Sequence, residues 1–438
     1  MNTFHKYFNL LIWICFIALM IGLPLSKGMA TSAMLSLLGL SLINLAITRA
    51  SPLQVIRDNL PILGLTVLYC CYLFSLAYSE NLSLGLAFIE REIPILIIPV
   101  IFALNRKVVS ERLIVMLTIF VGVCCFASLV TLFFYTLPEN ESMAWVERLA
   151  FLKVKPYVQL SKREAFGVYS PFLDRLQFSN LLALGVLCCL HIRIKTQQVI
   201  FWGLALLLVL TSAVLGGKGG QLGLMAGLLT WFSLSFFRTI YPKWKTRFSR
   251  FAAILGFMGL VFVLGVGVPY GLYKKVPAVN QRYNQMKWEL ETYYSDQYQE
   301  FEYVHFTTIR RILSWSHTWK LIRSHPILGV GVGDYKDRME AIYAQYSPEF
   351  PVNSHNHYLF VWANCGIWGL LLFLGSILVW ARSLGSISTL SSNTFPLSLL
   401  AVFMSIMLFD ALISQVDTMS FGMFLAIGAL SKTDTSQE

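Results

Sequence analysis

The chain has 438 residues, with 34 Lys and Arg against 23 Asp and Glu, a formal net charge of +11. Apolar residues make up 56% and charged residues 13%, well under the roughly 25% charged content of soluble domains. Together with a mean hydropathy of +0.63, this excludes an ordinary soluble enzyme and a disordered chain, and predicts an all-α, polytopic membrane domain spanning 1–438.

A membrane helix needs about 20 apolar residues. In chain order, the apolar runs predict about twelve spans: 8–25, 31–48, 60–78, 86–104, 113–137, 172–190, 198–215, 220–237, 251–270, 357–380, 396–414 and 416–431. The first reads as an uncleaved span, because a second apolar run follows at once without a small-residue cleavage site. Cysteines fall inside these runs, as the adjacent pairs Cys70–Cys71, Cys124–Cys125 and Cys188–Cys189 and as Cys15 and Cys365. No Cys-x-x-Cys occurs, so they read as small apolar residues of membrane helices rather than a metal or disulfide framework.

Lys and Arg orient the spans. With the N-terminus inside, the cytoplasmic segments hold Lys6, Arg49, Arg57, Arg106, Lys107, Arg112, Arg193, Lys195, Arg238, Lys243, Lys245, Arg247, Arg250, Arg382 and Lys432. The short outer loops hold only Lys27, Arg91 and Lys218. That asymmetry puts both termini inside. Basic charge scattered this way forms no stripe, which argues against a nucleic-acid partner. Two long segments then face outward, a first periplasmic loop at 138–171 and a large one at 271–356. The second is rich in Tyr and Trp, including Tyr283, Trp288, Trp315 and Trp319. Its stretch 309–323 places Ile312, Trp315, Trp319 and Ile322 on one helical face. Such a face suits a helix lying at the membrane interface, and also an aromatic wall for sugar rings.

Several motifs fail on inspection. Leu215-Gly-Gly-Lys-Gly-Gly220 is not a P-loop, since Ser212 stands where the first Gly belongs and Gly219 where Ser or Thr belongs. Gly329-Val-Gly-Val-Gly333 lacks the last Gly of a dinucleotide fingerprint. The sequence has no His-Glu-x-x-His and no Asp-x-Asp pair, so no metal site and no cofactor are expected.

What remains is a set of polar and cationic residues at the predicted outer ends of spans. Arg163 and Arg175 flank the start of the sixth, and Lys218 lies in the turn between the seventh and eighth. Arg310 and Arg311 open the amphipathic stretch, Ser354-His-Asn-His-Tyr358 precedes the tenth span, and Asp410 and Asp417 mark the last two. Ionisable residues at membrane spans are functional candidates, although Lys and Arg at span ends also snorkel to the interface.

His355-Asn356, nine residues, Gly366, two residues and Gly369 resemble the motif of bacterial O-antigen ligases. The longer pattern Arg311-Ile-Leu-Ser-Trp315, His325-Pro-Ile-Leu-Gly-Val-Gly-Val-Gly-Asp334, Ser354-His-Asn-His-Tyr-Leu359 and Gly366-Ile-Trp-Gly-Leu370 is similar to the O-antigen ligase/polymerase superfamily of lipid-linked glycan transferases. That family has about twelve spans and a large periplasmic loop before the motif-bearing span. It usually carries Arg in the Gly-rich turn, where Lys218 keeps the charge but not the planar fork.

The resemblance implies a glycosyltransferase of the bacterial inner membrane, with its site facing the periplasm. The donor would be an undecaprenyl-diphosphate-linked glycan and the acceptor a hydroxyl of lipid A–core oligosaccharide. Arg175, Lys218 and Arg311 would then clamp the departing diphosphate, with Arg163 and Arg310 in support. His355 would be the general base or a diphosphate hydrogen-bond donor. Asn356 and His357 would orient a group or cap the helix, and Asp417 would orient a cation or His355, or cap its own helix. Within the family, an O-antigen polymerase and a protein O-oligosaccharyltransferase are alternatives. A transporter or flippase fits less well, because it calls for charges and helix breaks near the midplane.

Overall fold

The computed structural model describes residues 2–48, 51–136, 170–240, 256, 268–275, 277–295, 307–343, 353–385 and 393–431. Among these residues the regular structure is entirely helical. Helices α1 (Asn2–Leu25) and α2 (Lys27–Thr48) pair through a tight turn. The short α3 (Pro52–Asp58) meets α4 (Leu60–Leu76) at an 86° bend. The chain continues as α5 (Leu82–Glu92), α6 (Pro94–Leu104), the short α7 (Arg106–Glu111) and α8 (Leu113–Thr136). Then come α9 (Arg175–Thr196), α10 (Ile200–Leu215) and α11 (Lys218–Ser235). Amphipathic helices follow as α12 (Val268–Lys275), α13 (Pro277–Tyr293), α14 (Thr307–Ser324) and α15 (Tyr335–Tyr343). The long α16 (His357–Ser383), α17 (Thr394–Phe409) and α18 (Gln415–Ser431) end the fold.

Among the described residues, six helices are long and apolar enough to cross a bilayer: α1, α2, α8, α9, α11 and α16. Taking α3 and α4 as one broken span makes seven. The expected twelve therefore do not follow from helix length. Helices α10 and α17 have 16 residues each, about 24 Å at 1.5 Å per residue, short of a ~30 Å hydrocarbon core. The run expected as one span at 86–104 is broken at Ile93, where Pro94 starts a new helix without an N–H to give. The run 251–270, the loop 138–171 and Arg163 lie almost wholly or entirely outside the described residues.

The face of α14 packed inside the protein is a more polar one than the aromatic face. Leu313, Ser314, His317, Thr318, Leu321 and Ile322 are buried, while Trp319 is exposed. Polar residues take the inner face because α15 supplies their partners. The His317 ring meets the Tyr343 ring edge-on at 5.2 Å, and the Thr318 and Tyr335 hydroxyls are 3.3 Å apart.

Small residues bring the central helices together. On α11, a Cβ at Gly223 would lie 2.9 Å from Ile406 of α17, and one at Gly227 would lie 2.6 Å from Val402. This is the small-xxx-small approach of membrane helices. It packs α11 on α17, with α9 against both. The N-terminal ends of α9, α11, α16 and α18 thereby meet the C-terminal ends of α10 and α17.

Candidate functional site

Two helix starts form one wall. Asp174 caps α9, its Oδ1 accepting from the Leu176 N–H at 2.8 Å, and Arg175 is the first helical residue. Gly216 ends α10 with φ +68, and Lys218 is the first residue of α11. The Ser179 hydroxyl donates to the Gly217 carbonyl at 3.2 Å, and a Cβ on Gly217 would sit 2.5 Å from that of Ser179. Only a residue without a side chain lets the turn lie this close to α9. Arg175 and Lys218 thus stand at neighbouring helix starts. There the helix dipole disfavours a cation by about 0.3–1 kcal/mol, and an anion placed between the starts meets two positive ends together with two side-chain cations.

A second wall comes from α14. Glu289 of α13, almost fully buried, accepts from the Thr308 N–H at 2.6 Å and from the Gln285 amide at 3.0 Å. It thereby caps the start of α14 and faces Arg310. Burial pushes the Arg310 guanidinium pKa down, and Glu289 opposes that shift. Burial also lowers that of Arg311, with Asp410 opposing and Arg175 and Arg310 adding to the fall. Arg175, Arg310 and Asp410 all lie within electrostatic reach of Arg311, which leaves a local excess of positive charge suited to an anion.

His355 lies beside this cluster. Its Nδ1 is 3.8 Å from the Asp410 Oδ1, and both side chains are 17% exposed. Its backbone has φ +47, a left-handed conformation unusual outside glycine and often found at functional positions. The surroundings hold that geometry. The Asn353 side chain accepts from the His355 N–H at 3.0 Å, and the Trp315 indole donates to the His355 carbonyl at 3.3 Å.

The neighbours divide the remaining work. The Asn356 Oδ1 accepts from the Leu359 N–H at 3.0 Å, capping α16, and its amide donates to the Leu408 carbonyl at 3.1 Å. It is a cap and a tie to α17. His357 is 1% exposed and packs against the Phe360 and Phe373 rings, within electrostatic reach of Asp410. Asp417 accepts from Ser414 at 2.5 Å and from Asn180 at 3.2 Å, while Ser414 accepts from the Asp417 N–H at 3.1 Å. That reciprocal pairing caps α18 and ties it to α9.

The Gly-rich run of the large loop serves as a bracket. The N–H groups of Val330 and Gly331 donate to the carbonyls of Ala363 and Asn364, at 2.8 and 3.0 Å. Gly366, at φ +70, breaks α16 so that the Ile367 N–H reaches the Pro326 carbonyl at 3.0 Å. Asp334 accepts from the N–H groups of Glu80 and Asn81, at 3.0 and 2.8 Å.

The structure thus brings together Arg175, Arg310, Arg311 and His355, sets Lys218 at the helix start beside that of Arg175, and leaves Asn356 and Asp417 in supporting contacts. It places His357 in the packing beneath. Asp410 stood among the polar candidates without a role, as a lone carboxylate inside the apolar run 396–414, while Glu289, Ser179 and Asn180 were missing from the expected site set. Glu289 has no sequence signal, because its partner Thr308 is distant in sequence.

Residues 203–374 match the family model described as O-antigen ligase. The match supports the O-antigen ligase/polymerase superfamily and, with it, glycan transfer on lipid-linked substrates in a membrane. It runs from α10 to α16 and includes Lys218, Arg310, Arg311, His355 and Gly366. Arg175, Asp410 and Asp417 lie outside it and join the site by geometry. No curated protein matches the sequence.

Proposed function

We propose that this protein is an O-antigen ligase of the bacterial inner membrane. In this reading it moves a glycan from undecaprenyl diphosphate to a hydroxyl of lipid A–core oligosaccharide, on the periplasmic face and without a metal ion. The reading is supported by the proximity of Arg175 and Arg311 to Asp410 and His355, with Lys218 at the helix start next to that of Arg175. The acceptor oxygen attacks the anomeric carbon and forms the new glycosidic bond. The bond from that carbon to the phosphate oxygen breaks, and its electron pair leaves with the lipid diphosphate. Arg175, Lys218 and Arg311 stabilise that charge, each charge-assisted hydrogen bond contributing about 1.5–3 kcal/mol. His355 takes the hydroxyl proton on Nε2, and Asp410, on the Nδ1 side, favours the imidazolium that forms. In this reading the fixed cations take the role a divalent ion would have.

An O-antigen polymerase uses the same donor and would use the same clamp. A strain lacking this protein separates the two. The ligase reading predicts full-length glycan left on undecaprenyl diphosphate and bare core on the lipopolysaccharide. Core carrying a single repeat unit in that strain would make the protein a polymerase instead.

A further inference from the structure

Transfer joins two molecules, and the cations described so far come from α9, α11 and α14. A further charged pair on α5 has no assigned role. Glu92 ends α5 at the break before Pro94, and its side chain is 1% exposed. Its Oε1 is 3.3 Å from the Arg91 Nε, and its Oε2 is buried without a hydrogen bond. A carboxylate buried in a membrane domain needs a cation beside it, and Arg91 supplies one. Arg91 itself is 44% exposed, and its guanidinium carbon lies 5.1 Å from the Phe88 ring centroid. Nε is the atom turned to Glu92, so the two amino groups remain for an outside anion.

The pair is linked to the site by packing. Phe88 lies 5.7 Å from Phe360 of α16, the helix that begins beside His355. Glu92 is within electrostatic reach of Asp417, which binds Asn180 in the second turn of α9.

We propose that Arg91 is an acceptor-side anion contact and that Glu92 is the residue that positions it. The inference deepens the glycan-transfer reading and rests on it for the identity of the acceptor. Donor diphosphate lies against Arg175, Lys218 and Arg311. The acceptor enters from the α5 side, and Arg91 binds its phosphate. A guanidinium held by Glu92 and Phe88 is already oriented and loses little freedom on binding. The anion is a phosphate of the lipid A–core in a ligase, or the diphosphate of a second lipid-linked glycan in a polymerase.

The test uses full-length protein in nanodiscs, with donor and acceptor varied separately and each acceptor also titrated without turnover. Arg91→Ala is expected to weaken acceptor binding and raise acceptor KM by about 10–100-fold, the worth of a lost charge-assisted hydrogen bond, with donor KM held within about twofold. Glu92→Gln is expected to act the same way though Arg91 is present, and Arg91→Lys to restore only part of the loss. Removing the acceptor phosphates should erase the difference between wild type and Arg91→Ala. Whichever acceptor shows the Arg91 dependence identifies its source. Equal acceptor binding by wild type and Arg91→Ala, or a shift in donor KM alone, overturns the proposal. Absence of turnover with either acceptor removes the transfer reading, while the binding titration still decides the role of Arg91.

Discussion

His355 combines a left-handed backbone, a nearby carboxylate and partial exposure. Its neighbour Asn356 is committed to capping α16 and holding Leu408. The two residues therefore fail in different ways when truncated. His355→Ala is expected to lower the transfer rate by about 10²–10⁴-fold, the usual loss for a general base, with an unchanged melting midpoint. Asn356→Ala is expected to cost about 0.5–2 kcal/mol of stability through the lost cap. Rates and melting curves of the two purified variants check this, and near-normal transfer by His355→Ala would make the imidazole a helix-end residue. The sequence marked both residues as one motif. It did not separate them, because one hydrogen-bonds to local backbone and to α17, while the other depends on Asp410, far along the chain.

At the level of elements, the Gly-rich segment between α14 and α15 fixes the large loop to the helix bundle. It docks on the α16 break at Gly366, while Asp334 ties it to the loop before α5. A Cβ on Gly366 would meet the Ile327 carbonyl oxygen at 2.0 Å, and φ +70 is itself unfavourable for any side chain. Gly366→Ala should lose more than the about 1–3 kcal/mol of the backbone term alone and should lower transfer with it. Gly375, with nothing within 4 Å of its Cβ position, is the control. Equal melting midpoints for Gly366→Ala and Gly375→Ala would contradict the bracket. The apolar runs made most helices legible, because burial in lipid or protein calls for the same residues. The inner face of α14 was not legible, since Ser314, His317 and Thr318 are buried on partners in α15. The cap that Glu289 supplies to α14 was hidden for the same reason, as it crosses from one helix to another.

Across the whole molecule, Arg175, Lys218, Arg311 and His355 share one end of the helix bundle. Arg106 lies at the other, donating to the Asp58 carbonyl at 3.0 Å, and the cytoplasmic assignment rests on Lys and Arg in these shorter connections. In a cysteine-free background, Ser295→Cys should react with an impermeant reagent from the periplasm, and Lys107→Cys only once the inner membrane is opened. Labelling of position 295 from the cytoplasm alone would put the site in the wrong compartment for lipopolysaccharide. The central claim is that fixed cations, rather than a bound metal, stabilise the departing lipid diphosphate. Transfer by the purified protein from an undecaprenyl-diphosphate-linked glycan to lipid A–core, measured in excess EDTA, tests it most directly. The account predicts transfer at the rate seen without chelator, and its loss in Arg311→Ala. A strict requirement for magnesium or manganese, or full activity in Arg311→Ala, would contradict it.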